Sequence, residues 1–314
     1  NSLVSNLSFV GIHQNRSIYR PNKAKFIARS RKNNFYTIDL DVEHREAYVL
    51  RIQELHAISY LGIGYIEGLF CLWNALEQPP IIYNPTTRKA RSLPVDDEIG
   101  HYHYSLGFEP DNKKYKILRY NIAYIPKRYW VITIGTSESW REIKSVPYSL
   151  SLPAHGGVCI DGAIYFLGGY KNKVRLVAFN VRTENFKIIS LWKDLQYMPG
   201  DRSFHLIGLE DKLAAIDYSI MIMEEMDLWI LERSDSSEEW GKHTIAFPHT
   251  LSSTTSYVGI RFCRSTTDGE IVLINSNLKQ NWIFFYDLKK KSWRDIEIKE
   301  ITGEKVEIMG IYSY

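Results

Sequence analysis

The sequence predicts an all-β chain, and more narrowly a six-bladed β-propeller closed by its C-terminal strand. Three observations carry that prediction. The aromatic share is high, with 21 Tyr, 13 Phe and 8 Trp, residue types that fit a pleated, half-buried surface. One pattern also recurs: a short alternating strand, an anchor residue, a polar turn and a second strand. Its anchors are Asp39, Asn84, Gly135, Asn180, Glu232 and Asp287, separated by 45, 51, 45, 52 and 55 residues. Finally, "KVEIMGIYSY" at 305–314 alternates like a strand but belongs to no unit of its own. A period of this size with four short strands per unit is the signature of propeller blades. A last segment that completes the first blade hides both sheet edges. A stacked sandwich of β-meanders satisfies the same strand count and is the alternative.

The elements follow in order. The first unit begins near "AKFIARSR" at 24–31 and continues through "NFYTIDLDVEHREAYVLRI" at 34–52, showing fewer than four strands of its own. The second joins "LGIGYIEGLFCLW" at 61–73 to "IIYNPTTRKARSLP" at 81–94. Its "GIGYIEG" superficially resembles a dinucleotide fingerprint, but the spacing is wrong and a strand follows, so hairpin glycines explain it. "YSLGFEPDNKKYKILRY" at 104–120 and "WVITIGTSESWREIKSV" at 130–146 make the third. In the fourth, "HGGVCIDGAIYFLGGY" at 155–170 carries Asp161-Gly162, a strong hairpin signal, ahead of "RLVAFNVRTENFKIISL" at 175–191. The fifth pairs "HLIGLEDKLAAIDY" at 205–218 with "DLWILERSDSSEEWGKHTIAF" at 227–247. The sixth pairs "GIRFCRSTTDGEIVLIN" at 259–275 with "FFYDLKKKSWRDIEI" at 284–298. Trp140, Phe186, Trp240 and Trp293 recur at one blade position, which assigns them to packing between blades. Helical signals are scarce: a rough apolar face in residues 1–17, and one turn ahead of Pro199.

Composition bounds the function classes. The 314 residues are 45% apolar with 39 basic and 36 acidic side chains, ordinary for a globular chain with a large core. Cys71, Cys159 and Cys263 lie far apart without a Cys-x-x-Cys pair. They read as buried thiols of a reducing compartment, hence a cytoplasmic or nuclear location. Sequons at Asn6 and Asn15 are attributed to chance, and the missing initial Met leaves room for an upstream segment. No apolar run reaches the roughly 18–20 residues of a membrane span, so no membrane partner is expected. Residues 1–38 hold seven basic side chains and no acid, which leaves 32 basic against 36 acidic residues in the body. Such a stretch can touch an acidic partner, or serve as a solvated connector. No basic stripe with interleaved aromatics crosses the body, so no nucleic acid is expected.

Catalytic signals are missing. There is no Walker motif, His-Glu-x-x-His or Gly-x-Ser-x-Gly. His101 and His103 share one side of an extended segment but lack an assignable third ligand, so neither metal nor cofactor is expected. The carboxylates of "VDDE" at 95–98, of Glu224, Glu225 and Asp227, and of "SDSSEE" at 234–239 sit in turns, where Asp is favoured for backbone reasons. No catalytic residue is therefore assigned, although propellers do host enzymes.

"SFVGIHQNRS" at 8–17 resembles the segment that closes the F-box of plant F-box proteins, through Ser8, Phe9, Val10, His13, Arg16 and Ser17, without the usual proline. "GLFCLWN" with "IIYNPTTRKARSLP" is similar to that family's Gly-Leu-x-Cys-Leu and Trp-Asn-Pro-x-Thr-Arg elements, with Tyr83 in place of tryptophan. "YSLGFEPDNKKYKILR", "SWREIKSVPY", "GGVCIDGAIYFLG", "AFNVRTENFKIISL" and "LWILE" continue the series in order, with Tyr165-Phe166 replacing the usual His-Trp. The chain thus looks like a plant F-box-associated domain, a group often placed with kelch-type propellers. The resemblance implies that residues 1–17 are a C-terminal remnant of an F-box, helical in part, and that 18–314 are the substrate-binding propeller. It further implies a substrate-recognition subunit of a Skp–cullin–F-box ubiquitin ligase, partnered by a Skp-type adaptor, a cullin and a target protein. A binding module uncoupled from ubiquitylation and a propeller enzyme are the other readings.

In a propeller, ligands meet loops that rigid blades hold at one end. Those loops are assigned to 94–103, 121–128, 146–155, 192–204 and 217–226. Tyr, Trp and Arg dominate binding hot spots, which selects Tyr102, Tyr124, Arg128, Tyr148, Trp192, Tyr197 and Arg202 as candidate substrate-binding residues.

Overall fold

The computed structural model describes residues 23–30, 32, 34–41, 46–53, 55, 62–74, 79–94, 101–121, 127–137, 139–153, 156–171, 173–193, 202–219, 224–233, 237–248, 251, 260–263, 269–276, 281–298 and 306–312. The expected helix over 1–17 and the turn before Pro199 lie outside the described residues. Every assigned strand falls into one of six four-stranded antiparallel sheets. β1 (Lys23–Ser30), β2 (Phe35–Asp41) and β3 (Glu46–Ile52) open the chain. β4 (Gly62–Ile66), β5 (Leu69–Trp73), β6 (Ile81–Asn84) and β7 (Lys89–Ser92) form the next sheet. It is followed by β8 (Tyr102–Glu109), β9 (Lys114–Asn121), β10 (Tyr129–Thr133) and β11 (Arg141–Glu142). β12 (Val158–Ile160), β13 (Ala163–Tyr170), β14 (Lys173–Asn180) and β15 (Phe186–Ile189) come next. β16 (Arg202–Leu209), β17 (Lys212–Ser219), β18 (Glu225–Arg233) and β19 (Glu238–Ala246) make the fifth sheet. β20 (Ile260–Cys263), β21 (Ile271–Ser276), β22 (Asn281–Asp287) and β23 (Ser292–Ile298) make the last, and β24 (Val306–Tyr312) ends the chain.

β24 pairs with β1, from Ser30↔Val306 to Lys25↔Tyr312, so the first sheet runs β24-β1-β2-β3. The C-terminal strand therefore completes the first sheet, as its orphan alternation predicts. The chain forms two compact units. One contains the three sheets of residues 58–197, and the other contains the three sheets of 20–57 and 198–313. Each has its own core: Leu69, Ile117, Leu118, Ile164, Phe166 and Phe179 in the first, and Phe26, Ile38, Ile216, Leu273, Phe284 and Phe285 in the second.

Turn chemistry explains the repeat at three of the anchors, whereas Asp39 and Glu232 lie inside β2 and β18, paired across the ladder with Tyr48 and Glu239. Asn84 Oδ1 accepts the N–H groups of Thr86 and Thr87 at 3.0 and 3.1 Å. Asp287 Oδ1 accepts those of Lys289 and Lys290 at 2.9 Å each, and Asn180 Oδ1 accepts the Thr183 N–H at 2.8 Å. Four residues after each anchor the backbone turns left-handed, at Arg88 (φ 54°), Glu184 (φ 59°) and Lys291 (φ 52°). A short Asx side chain that bonds its own turn thus reverses three sheets in the same way. At Asp161-Gly162 both φ angles are positive, 43° and 70°, the two-residue hairpin geometry that such a dipeptide favours.

The aromatic that opens the outer strand links neighbouring sheets within a unit. Trp140 Nε1–H donates to the Pro94 carbonyl at 2.9 Å, and Trp293 Nε1–H donates to the Ala246 carbonyl at 2.8 Å. The Phe186 ring meets Tyr129 edge-on at 5.3 Å. Tyr102 and Arg202, assigned to loops from the sequence, instead occupy the first positions of β8 and β16. The strand alternation extends one or more residues further than the turn signals suggest.

Candidate functional site

In the sheet β8–β11, strand alternation sends neighbouring residues to opposite faces. Tyr104, Arg119, Trp130 and Glu142 form one cross-strand row, and His103, Tyr120 and Tyr129 form the next row on the other face. The first row makes an aromatic box. The Arg119 guanidinium, 2% exposed, lies 4.5 Å from the Tyr102 ring, 4.4 Å from Trp130 and 4.8 Å from Trp140. The Tyr102 and Trp130 rings meet edge-to-face at 5.5 Å. Arg128 lies 4.9 Å from the Trp130 ring and pairs with Glu142 through two hydrogen bonds of 2.9 and 3.2 Å. Those bonds hold the Glu142 carboxyl below its usual range. Asn121 Oδ1 accepts the Arg128 N–H at 2.8 Å, which closes the base of the intervening loop.

The second row carries a strap, residues 143–153. Its first tie is the Ile143 N–H on the Tyr129 carbonyl, at 2.8 Å. The Tyr129 hydroxyl donates to the Leu150 carbonyl at 2.8 Å, and the Tyr120 hydroxyl donates to Pro153 at 3.0 Å. Burial pushes both phenols well up, so they remain protonated donors at any physiological pH. Ser151 and Gly169 exchange two backbone bonds of 2.9 and 2.8 Å, which hangs the strap on β13. That approach requires glycine nearby: a Cβ at Gly168 would lie 2.7 Å from the Ser151 carbonyl oxygen. Leu150 and Leu152 are buried below. The tip turns between Pro147 and Leu150, with Ser149 left-handed at φ 67°. Tyr148 on that tip is 93% exposed. A rigid ring offered to solvent from a fixed loop loses little entropy when it is covered, the property of a hot-spot residue.

The sequence-selected residues fall out unevenly. Tyr102 and Arg128 meet on Trp130, and Tyr148 stands on the adjoining strap. Trp192 is half-buried after β15. Tyr124 and Tyr197 lie outside the described residues. Arg202 belongs to the other unit. Sequence reasoning missed the role of Arg119 and Trp130, which read as ordinary alternating strand residues, and it gave Trp140 a packing role only. His103 stacks on Tyr120 at 6.1 Å, and among the described residues no three metal-ligating side chains cluster. In the second unit a cleft of about 170 Å³ opens between Leu209, Ile230, Gly269 and Leu288. It falls below the few hundred Å³ of ordinary small-molecule sites, and the Lys212–Glu232 pair at its rim closes at 2.7 Å.

Comparison with known proteins places the chain in a family. The family described as F-box associated beta propeller domain matches residues 17–312. "F-box protein At3g57590" of Arabidopsis thaliana is 30% identical over 280 residues, covering 82% of this chain and 67% of that protein. "Putative F-box protein At1g47730" of the same plant is 28% identical over 253 residues, 76% of this chain and 61% of its own. The chain thus spans about three fifths to two thirds of these relatives. Among solved structures, TolB from Acinetobacter baumannii superposes with a TM-score of 0.57 at 8% identity, over 92% of this chain and 66% of its own. A chain of a Nidogen/Laminin complex reaches 0.55 at 8% identity, over 92% and 97%. These two share the fold alone. With six four-stranded sheets, a C-terminal strand that completes the first, and a family match over nearly its full length, the chain belongs to the F-box associated β-propeller domain family of plant F-box proteins.

Proposed function

We propose that this chain is the partner-binding part of a substrate receptor in a Skp–cullin–F-box ubiquitin ligase. The family membership over residues 17–312 carries the reading. The Tyr148 strap beside the Arg119 box supports it as a rigid surface built to hold another polypeptide. The role needs no chemistry from this chain: it raises the local concentration of a target near an enzyme that other subunits supply. Residues 1–17, similar to the end of an F-box, connect the propeller to the adaptor-binding helices of the parent protein, and the complex works in the cytoplasm or nucleus.

The test is affinity capture of the full-length parent protein and of this chain alone, under proteasome inhibition. A Skp-type adaptor, a cullin and a ubiquitylated target are expected with the full-length protein, and the same target without adaptor or cullin with this chain alone. An adaptor that never co-purifies with the full-length protein overturns the ligase reading. A captured partner whose ubiquitylation is unchanged by loss of the receptor identifies an uncoupled binding module instead.

A further inference from the structure

β7 is the outer strand of the sheet β4–β7 and pairs on one side only, with β6. It reads Lys-Ala-Arg-Ser, and all four residues are exposed. An edge strand turns alternate N–H and C=O groups outward, a template for another chain. Lys89 and Arg91 stand on one face of β7, opposite Asn84 and Ile82 across the ladder, and two residues of rise set them about 7 Å apart. Arg88 precedes them, exposed at the left-handed turn position of φ 54°. Among the described residues no carboxylate pairs with Arg88, Lys89 or Arg91. The acid described in this sheet is Glu67, in the β4–β5 turn at the end of the inner strands. Glu77, Asp96, Asp97, Glu98 and Glu138 lie outside the described residues. The other outer strands are built differently: β3, β11, β19 and β23 each mix acidic and basic residues, and β15 carries a single Lys187.

We infer that β7 takes up an extended segment of the target polypeptide as a fifth strand, with acidic side chains at every second position facing Lys89 and Arg91. The inference rests on the receptor reading and names the chemistry of its partner. Backbone hydrogen bonds to an open edge supply affinity whatever the sequence, and side chains directly opposite one another select the partner. On β7 that selection is by charge. Acidic residues two apart along the added strand lie opposite both cations, whereas like charges there are unfavourable. A second copy of this strand is refused for the same reason, since antiparallel pairing about Ala90 sets Lys89 against the copy's Arg91. Lysine on an edge guards against indiscriminate pairing, and two cations in register on one face turn that guard into a preference for carboxylates. Arg88 extends the positive field past the start of the strand, where it steers the approaching chain.

The test titrates the whole chain with fluorescein-labelled peptides, read by anisotropy. The probes are alternating glutamate–threonine, the same residues in two blocks, and alternating glutamine–threonine, with oligo-thymidylate beside them. The alternating acidic peptide is expected to bind best, about fivefold tighter than the block isomer, and to weaken as salt rises. The double variant Lys89→Glu/Arg91→Glu is expected to lose about tenfold or more in affinity, and the neutral pair Lys89→Gln/Arg91→Gln about fivefold. Lys171→Glu, at an exposed lysine of another sheet, should leave the affinity unchanged. Melting temperatures are the folding control, and if the Glu pair melts early the Gln pair carries the comparison. Equal binding of the block isomer or of the glutamine peptide overturns the inference. So does an equal loss from Lys171→Glu, or no loss from the paired variants. Tighter binding of oligo-thymidylate overturns it in favour of a nucleic-acid surface. Adaptor co-purification of the full-length protein is independent of these results, so the receptor reading stands or falls separately.

Discussion

Tyr148 and Arg119 show how differently two side chains at one end of a sheet are used. Tyr148 is 93% exposed and touches little, so Tyr148→Ala is expected to change stability by less than about 0.5 kcal/mol while reducing target capture. A large loss of stability in urea would show that the ring packs on its own strap instead. Arg119 is the reverse case, a guanidinium inside three aromatic rings. Arg119→Ala empties the box and is expected to cost about 2–4 kcal/mol. Arg119→Lys should recover little, because a compact ammonium cannot stack as a plane against Tyr102 and Trp130; full stability of the lysine variant contradicts the box. The exposed tyrosine was legible in the sequence because it follows Pro147 in a polar turn. Arg119 was not, since a basic residue between two strand positions carries no sign of whether its neighbours across the sheet are aromatic.

At the level of elements, the strap depends on a missing side chain. Gly168→Ala places a Cβ within 2.7 Å of the Ser151 carbonyl oxygen, so the strap must lift or β13 must shift. A cost of about 1–3 kcal/mol is expected, together with faster amide exchange at Ser151 and weaker target capture. Unaltered exchange at Ser151 would disprove the tie. The two tryptophan links between sheets allow a matched test. Trp140→Phe and Trp293→Phe each remove an indole donor from a carbonyl, Pro94 or Ala246, and each is expected to lose about 1 kcal/mol in denaturant unfolding. The recurrence of an aromatic at one blade position announced this packing from sequence. The strand limits were less legible: Tyr102 and Arg202 sit inside strands because cross-strand pairing, not the local turn residues, decides where a ladder starts.

Over the whole molecule, charge is arranged by the fold. Burial pushes the Glu184 carboxyl up, but hydrogen bonds from Lys116 and Arg141 outweigh it and hold the group below its ordinary value near 4.5. A carboxyl depressed in the folded state contributes in full above its unfolded value, and that contribution fades as pH falls through the native value. Unfolding free energy measured from about pH 6 to about pH 3 should therefore fall more steeply for the native chain than for Glu184→Gln; parallel curves would show that the pair contributes nothing. Sequence alone determined the class, the six-fold repeat, the turns at Asn84, Asn180 and Asp287 and the strand that completes the first sheet, whereas the anchors chosen at Asp39 and Glu232 fall inside β2 and β18. All of these rest on local periodicity and on Asx or glycine turns, which act within a few residues. Only the tertiary structure decided which side chains meet: the box around Arg119, the strap tied to Tyr120 and Tyr129, and the Glu184 carboxyl held between Lys116 and Arg141. Those contacts join residues distant along the chain through register and packing, and neither can be read from spacing.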